Sequence, residues 1–281
     1  MSAEPFLLHH ALVTAPEAEP TRWMLVLHGI LGSGTNLRSL ARRLAAAHPA
    51  WGFILPDLRM HGLSQGAPPP LTIAAAADDL VRLGEHLGLR IDGVLGHSFG
   101  GKVAMAYLDR RGERLDQAWI LDASPSARPR GERAGTTAQI VDLLRAMPQP
   151  LPSRERFLEI VAEHGHASRG IGEWLAMNLR RADDGFRLRL DLDAIGALLD
   201  DYFAVDLWRV LEEGRLAREL HMVLGGLSDA LDAADRAHLA TLGSTVTTHV
   251  LEGAGHWVHV DAPDALFALI TGALARPVDA R

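Results

Sequence analysis

The chain has 281 residues, 48% of them hydrophobic, which is enough for one large α/β domain or for a core domain that carries an insertion. It contains no cysteine, which excludes disulfide bonds, thiolate catalysis and cysteine-ligated zinc or iron–sulfur sites within it. Its net charge of −7 argues against a general affinity for nucleic acid or for anionic lipid.

Strands and helices are predicted to alternate up to residue 125. Four continuous apolar runs are typical of strands that are buried on both faces. They lie at residues 22–27, 52–55, 91–95 and 118–121, after a loosely alternating edge strand at 6–13. Helical periodicity follows the first three runs, at residues 36–48, 72–87 and 99–111, with Asn36 as the expected N-cap of the first helix. This order predicts a mostly parallel sheet with helices on both faces.

The pattern changes between residues 126 and 219. Helical spacing dominates there, in segments at residues 137–147, 154–163, 171–180, 192–203 and 207–211. A short alternating stretch at 186–190 favours local strand pairing. Because this block is too long for a loop, we interpret 126–219 as a helical cap inserted into a core made of residues 1–125 and 220–281. The sheet is expected to resume with strands at 220–224 and 246–251, followed by a last helix at 263–274.

The strand at 91–95 runs into Gly96-His97-Ser98-Phe99-Gly100 and then directly into a helix. A Gly-x-Ser-x-Gly sequence between a strand and a helix predicts a nucleophile elbow. Such a sharp turn needs glycine on both sides of the serine, because a Cβ atom there would collide with neighbouring backbone. The pentapeptide alone fits a plain glycine-rich turn equally well, so the rest of the chain must decide whether Ser98 is a nucleophile.

A serine hydroxyl needs a base to accept its proton, and the base needs an acidic side chain that fixes its tautomer. In this kind of fold the chain order is serine, acid, histidine. His256 follows the last predicted strand in a glycine-flanked loop and is therefore the expected base. His259 is expected to pack at the edge of the same loop.

Several motifs then follow one another in the chain. They are His28-Gly29-Ile30-Leu31-Gly32-Ser33 with Thr35-Asn36-Leu37, Gly96-His97-Ser98-Phe99-Gly100-Gly101-Lys102, Asp122-Ala123-Ser124-Pro125, Asn178-Leu179, and Gly253-Ala254-Gly255-His256-Trp257-Val258-His259. In this order they resemble the α/β-hydrolase family over the whole chain, and within it the YbfF-type esterases and their mitochondrial relatives. The resemblance implies an α/β-hydrolase fold with a cap, and a serine esterase or thioesterase.

Two residues are candidates for the acid that orients His256. In most members of the family it follows the strand after the cap, where this chain has Ser228 and Asp229. In the YbfF-like group it resembles Asp122 instead, and a serine that matches Ser228 contributes to a hydrogen-bonded tetrad. Neighbouring strands lie about 4.8 Å apart, so a carboxylate on the strand beside the elbow can reach the imidazole. We favour Asp122 as the acid and keep Asp229 as the alternative.

The resemblance also implies an oxyanion hole made of two backbone N–H groups, those of Ile30 and Phe99. His28 and His97, which flank these groups, are expected to be structural. The cap is expected to cover the pocket and to shape its acyl site. The residues proposed for that site are Trp174, Met177, Leu198, Tyr202 and Phe203.

The expected reaction is attack of Ser98 on a small acyl ester or thioester, with His256 as base and no need for a cofactor or a metal ion. Two alternatives stay open: a lyase or carbon–carbon bond hydrolase with the same triad, and a non-catalytic ligand-binding homologue. Without a signal-peptide pattern or a membrane-spanning apolar run, we expect a cytoplasmic protein that binds neither nucleic acid nor membrane. The oligomeric state is left open.

Overall fold

A computed structural model describes residues 6–111, 114–128, 136–163 and 169–276. The strands are β1 His10–Val13, β2 Arg22–Leu27, β3 Trp51–Pro56, β4 Ile91–His97, β5 Leu115–Leu121, β6 Leu179–Ala182, β7 Gly185–Leu188, β8 Ala217–Gly225 and β9 Thr247–Leu251. The helices are α1 Arg38–Ala47, α2 Ile73–Leu87, α3 Phe99–Arg111, α4 Thr136–Ala146, α5 Arg154–Glu163, α6 Arg169–Leu175, α7 Leu192–Ala204, α8 Trp208–Glu213, α9 Ala233–Thr241, α10 Val258–Asp261 and α11 Pro263–Leu274. In these residues no helix has both the length and the apolar character needed to cross a membrane.

Seven of these strands form one sheet in the order β1-β3-β2-β4-β5-β8-β9. Strand β1 is antiparallel to β3, and every other neighbouring pair is parallel. Every residue of β3, β4 and β5 is buried, as expected for strands with helices on both faces. The predicted α/β fold class, with its mostly parallel sheet, is confirmed.

The two faces of the sheet carry separate hydrophobic clusters because successive side chains of a strand point to opposite sides. Leu25 and Val94 belong to the cluster that contains helices α2 and α3. Met24 and Leu95, each one position away, belong to the cluster that contains α1 and α11. Because six of the strands run parallel, their carboxyl ends lie at one edge of the sheet, where the loops that follow them meet.

Between β5 and β8 the chain leaves the sheet and forms α4 to α8 and the hairpin β6–β7. Phe157 and Leu198 from this segment are buried in the same cluster as α2 and α3, so its described part packs directly on the core. The predicted strand pairing near 186–190 is confirmed as β7, whose partner β6 replaces the end of the helix predicted for 171–180. After α6 a 3₁₀ turn, Ala176–Asn178, leads to β6, and the buried Asn178 amide donates to the carbonyl of Leu31 at 2.8 Å.

The helix predicted for 72–87 is confirmed as α2. The Thr72 side chain accepts a hydrogen bond from the N–H of Ala75, and Gly88 ends the helix with φ +61°. The prediction of Asn36 as an N-cap is wrong. Asn36 lies within a short 3₁₀ helix, Gly34–Leu37, where its side chain accepts a hydrogen bond of 2.6 Å from the N–H of Ser33.

A buried ion pair fastens the loop after β3 to α2. Arg59 donates to both oxygens of Asp79, at 2.7 and 3.0 Å, and the two side chains are only 2% and 1% exposed. The same guanidinium also donates to the carbonyls of Pro68 and Pro70. A buried guanidinium with these partners is tolerated, but without its carboxylate it would be an uncompensated charge.

We expect Asp79→Ala to lower the free energy of unfolding by about 3–5 kcal/mol, because it leaves Arg59 buried without a counter-charge. Urea denaturation at neutral pH measures the loss. The control is Asp142→Ala, which removes a 75% exposed partner of Arg145 and should cost less than about 1 kcal/mol. Equal losses in the two variants would contradict this account of the ion pair.

Candidate active site

Strand β4 passes into α3 through a turn too tight for ordinary residues. Ser98 has φ +53°, in the left-handed region that non-glycine residues rarely occupy. A Cβ atom at Gly96 would lie 2.1 Å from the carbonyl oxygen of Gly100, and one at Gly100 would lie 2.5 Å from that of His28. Glycine is therefore the residue that both positions require. The turn leaves the Ser98 side chain at the wall of a cavity above the sheet.

His256 lies beside Ser98, in the loop between β9 and α10. Its Nε2 is 2.9 Å from the Ser98 hydroxyl oxygen, and its Nδ1 is 2.8 Å from a carboxylate oxygen of Asp122. A carboxylate can only accept, so the Nδ1–H donates to Asp122 and leaves the Nε2 lone pair facing the serine. This is the tautomer that can take a proton from the hydroxyl.

Asp122 follows β5, the strand next to the elbow strand. Its N–H donates to the carbonyl of Val223 at 2.8 Å, while Ser98 makes the matching bond to Leu121 at 2.9 Å, so the sheet ladder sets both positions. The Asp122 side chain is fully buried. One carboxylate oxygen accepts from the N–H of Gly225 at 3.0 Å, and the other accepts from the Ser228 hydroxyl as well as from His256. These donors aim the carboxylate at the imidazole.

The two acid candidates therefore lie in different surroundings. Asp122 contacts both His256 and Ser228, whereas Asp229 is exposed on the rim of the cavity. In the described part of the chain Asp229 makes no hydrogen bond to the imidazole. The nearby Asp232 caps α9 by accepting from the N–H of Asp235 at 2.8 Å.

Ile30 and Phe99 line the cavity together with Ser98. The carbonyl of Gly29 accepts from the N–H of Gly32 at 3.1 Å and from the His28 imidazole at 2.7 Å. Because a trans peptide holds its N–H opposite its C=O, these two bonds also fix the direction of the Ile30 N–H. Phe99 is the first residue of α3, and the first N–H groups of a helix have no partner inside it.

Two further histidines surround the base. His97 donates from Nε2 to the backbone carbonyl of His256 at 2.8 Å, and its ring meets that of His259 at 4.6 Å. Burial holds the pKa of His97 well below its ordinary value of 6.5, and burial also lowers the pKa of His259 to about 4. Both are therefore neutral at neutral pH. His97 is placed to hold the loop that carries the base, as expected of a structural residue.

The cavity has a volume of about 510 Å³ and reaches from the serine to helices α4, α6 and α7. Of the five cap residues proposed for the acyl site, Trp174, Tyr202 and Phe203 line it. The proposal for the other two is corrected. Leu198 is fully buried in the hydrophobic core, and Met177 is 47% exposed beside Asn36. Neither side chain is part of the described cavity wall.

The cavity wall also contains residues to which the sequence analysis assigned no role in the pocket, among them Lys102, Trp257 and Val260. Trp257 contacts Trp174 edge to face, with ring centroids 6.3 Å apart. One signal was available for Lys102. It is the chain's only lysine, one helical turn beyond the nucleophile, and residues at that spacing lie on the same face of a helix.

Comparison with known proteins places this chain in a family. A family model for the alpha/beta hydrolase fold matches residues 22–170. The mouse sn-1-specific diacylglycerol lipase ABHD11 is 28% identical over 257 residues, which cover 90% of this chain and 80% of that protein. The Escherichia coli esterase YbfF is 28% identical over 248 residues, which cover 88% of this chain and 91% of that protein.

Among solved structures, an esterase from a marine microorganism superimposes with a TM-score of 0.80 at 21% identity, covering 95% of this chain and 99% of that one. At that identity the likeness concerns the fold alone. The family model, by contrast, spans more than half of the chain and includes both the Ile30 loop and the elbow. The chain belongs to the α/β-hydrolase family.

Proposed function

We propose that this protein is a serine hydrolase that cleaves small acyl esters or thioesters through an acyl-enzyme on Ser98. The observation that carries the proposal is the unbroken hydrogen-bonded path from the Ser98 hydroxyl through His256 to Asp122, with steps of 2.9 and 2.8 Å. A buried carboxylate, a correctly oriented imidazole and a hydroxyl at a cavity wall are the groups that acyl transfer needs.

In the first half of the reaction the Ser98 oxygen attacks the carbonyl carbon while its proton passes to Nε2 of His256. The N–H groups of Ile30 and Phe99 stabilise the negative charge that develops on the carbonyl oxygen. Asp122 stabilises the imidazolium. When the tetrahedral intermediate collapses, the bond to the alkoxy or thiolate group breaks, and that group leaves with the proton from His256.

In the second half water takes the place of the leaving group. His256 accepts a proton from the water, whose oxygen attacks the acyl carbon, and then returns the proton to the Ser98 oxygen. The free carboxylic acid and the unmodified enzyme result. Ser228 takes no proton in this scheme; its hydroxyl holds the Asp122 carboxylate in place.

The names of the relatives, an esterase and a lipase, support an ester as substrate. The aromatic cap side of the cavity, with Trp174, Tyr202 and Phe203, suits an apolar acyl chain. We further propose that the protein acts in the cytoplasm on small molecules, without nucleic acid or membrane as partner. The net charge of −7 and the absence of cysteine support this part of the proposal.

Ser98→Ala and His256→Ala should each lower kcat on p-nitrophenyl butyrate by about 10⁴- to 10⁶-fold, because each removes one member of a unit that acts together. Steady-state kinetics measures the loss, and a burst of p-nitrophenol in the wild-type enzyme reports the acyl-enzyme. Near-normal turnover in Ser98→Ala would refute the proposal. A carbon–carbon bond hydrolase or a non-catalytic homologue would hydrolyse this ester neither rapidly nor with a burst.

Asp122→Asn should lower kcat by about 10²- to 10⁴-fold, since the amide cannot stabilise the imidazolium. Ser228→Ala should lower it by about 3- to 10-fold, because one hydrogen bond to the carboxylate is lost. Asp229→Asn is the matched control and should stay within about twofold of the wild-type rate. Thermal melting verifies that each variant is folded.

The outcome that would overturn this assignment is the reverse order. If folded Asp229→Asn were inactive while Asp122→Asn kept its activity, Asp229 would be the acid, and the contact between His256 and Asp122 would be incidental to the reaction.

A further inference from the structure

Lys102 occupies an unusual position for a lysine. It lies on α3, one turn after Ser98, and is only 1% exposed. Lysine is almost never fully buried unless it is paired, because removing an ammonium group from water is costly. The chain has no other lysine, so this charge is not one of an interchangeable set.

The ammonium group bonds to the start of the cap and to the end of its helix α7. It donates to the backbone carbonyl of Ser126 at 2.8 Å and to that of Tyr202 at 2.7 Å. Ser126 lies where the chain leaves the sheet after β5, and Tyr202 lies in the last turn of α7, before α8 leads to β8. The segment from α4 to α7 therefore lies between the two carbonyls that this one side chain holds.

The start of the cap also pairs with the chain at the end of α7. The N–H of Arg128 donates to the carbonyl of Phe203 at 2.7 Å, and the N–H of Leu207 donates to that of Pro125 at 2.9 Å. The two segments thus run side by side, and Lys102 joins this pair to the helix that begins at the nucleophile. Its contacts are internal to the protein and do not depend on a ligand.

The acceptors suit a buried cation. The carbonyl of Tyr202 is at the C-terminal end of α7, where carbonyls lack helical partners and the helix dipole favours positive charge. The ammonium nitrogen also lies 4.7 Å from the centroid of the Tyr202 ring, within the range of a cation–π contact. Burial lowers the pKa of Lys102 to about 8, an effect that the negative charges of Asp206 and Asp235 oppose.

Tyr202 connects the Lys102 contacts to the active site. Its ring stacks on that of Phe99, with centroids 6.0 Å apart and planes inclined by 29°. Phe99 follows the nucleophile, and its N–H is one of the proposed oxyanion donors. Tyr202 also lines the cavity. The distance between the end of α7 and α3 therefore determines the size of the cavity beyond Ser98.

We propose that Lys102 is a positioning residue: it holds the start of the cap and the end of α7 against the nucleophile helix, fixes Tyr202 in the acyl site and thereby sets which acyl chains the enzyme accepts. This inference rests on the proposed hydrolase function for its kinetic consequences. Its structural part, the attachment of the cap, is independent of any reaction.

The test is Lys102→Met, which keeps much of the side-chain volume and removes the charge. We expect KM for p-nitrophenyl hexanoate to rise about tenfold, because Tyr202 at the end of α7 is no longer held against α3. KM for the acetate ester, whose acyl chain is the shortest, and kcat for both esters should change less, so that the variant alters the acyl preference. Hydrogen exchange in peptides from α7 should become faster in the variant, because its attachment is weakened.

The matched control is Arg209→Met. Arg209 also joins the cap to α3, through Asp109 at 2.6 Å, but at the exposed surface. It should leave both the acyl preference and the exchange of α7 as in the wild type. A rescue is available because the chain has no cysteine. Alkylation of the unfolded Lys102→Cys variant with 2-bromoethylamine converts that one cysteine into an analogue of lysine. After refolding, the modified protein should regain the wild-type acyl preference and the wild-type exchange of α7.

Wild-type acyl preference and wild-type exchange in folded Lys102→Met would overturn the inference, as would failure of the aminoethylated protein to recover either property. These outcomes differ from failure of the proposed function, in which the wild-type enzyme itself would show no Ser98-dependent ester hydrolysis.

Discussion

The structure depends on how closely the backbone approaches itself at the turn between β4 and α3. Gly96 faces the carbonyl of Gly100, and Gly100 faces that of His28, at distances that exclude any side chain. This packing forces Ser98 into the left-handed region at φ +53°. It also brings the Ile30 loop, the start of α3 and the end of β5 around one point. A serine elsewhere on the sheet edge would meet neither the N–H groups nor the imidazole.

A second strained residue complements the first. Asp122 has φ +48° where β5 ends, so two adjacent parallel strands both finish in left-handed residues. Such backbone costs free energy and persists only where its surroundings enforce it. Here the N–H of Gly225 and the hydroxyl of Ser228 hold the carboxylate, and the carbonyl of Val223 holds its backbone. The strain thus coincides with the hydrogen-bonded path that the proposed mechanism uses.

Much of this arrangement could be predicted from sequence because it is local. The apolar runs and helical periods gave the mostly parallel sheet, and the glycine spacing around Ser98 identified the turn. The choice between Asp122 and Asp229 as the acid, by contrast, does not depend on local sequence. Both follow strands at the same edge of the sheet, and only the path of the His256 loop, held by His97, determines which carboxylate it meets. That path is a tertiary property.

The cap residues that line the cavity were harder to predict from sequence. Helical spacing does not tell which side of an apolar helix faces a cavity and which side faces the core. Leu198 and Tyr202 lie on the same helix, yet one packs in the core and the other lines the cavity. The role of Lys102 cannot be predicted from sequence for a related reason: its partners are the backbone carbonyls of Ser126 and Tyr202, and every residue has a carbonyl.

The central claim is that Ser98 is the nucleophile, and covalent labelling tests it without any assumption about the substrate. An alkyl fluorophosphonate reacts with a serine that an adjacent base has activated. After incubation, digestion and mass spectrometry, we predict one phosphonylated peptide with the modification on Ser98, and no labelling in Ser98→Ala. Labelling of another serine, or an unmodified Ser98 in folded wild-type protein, would contradict the account.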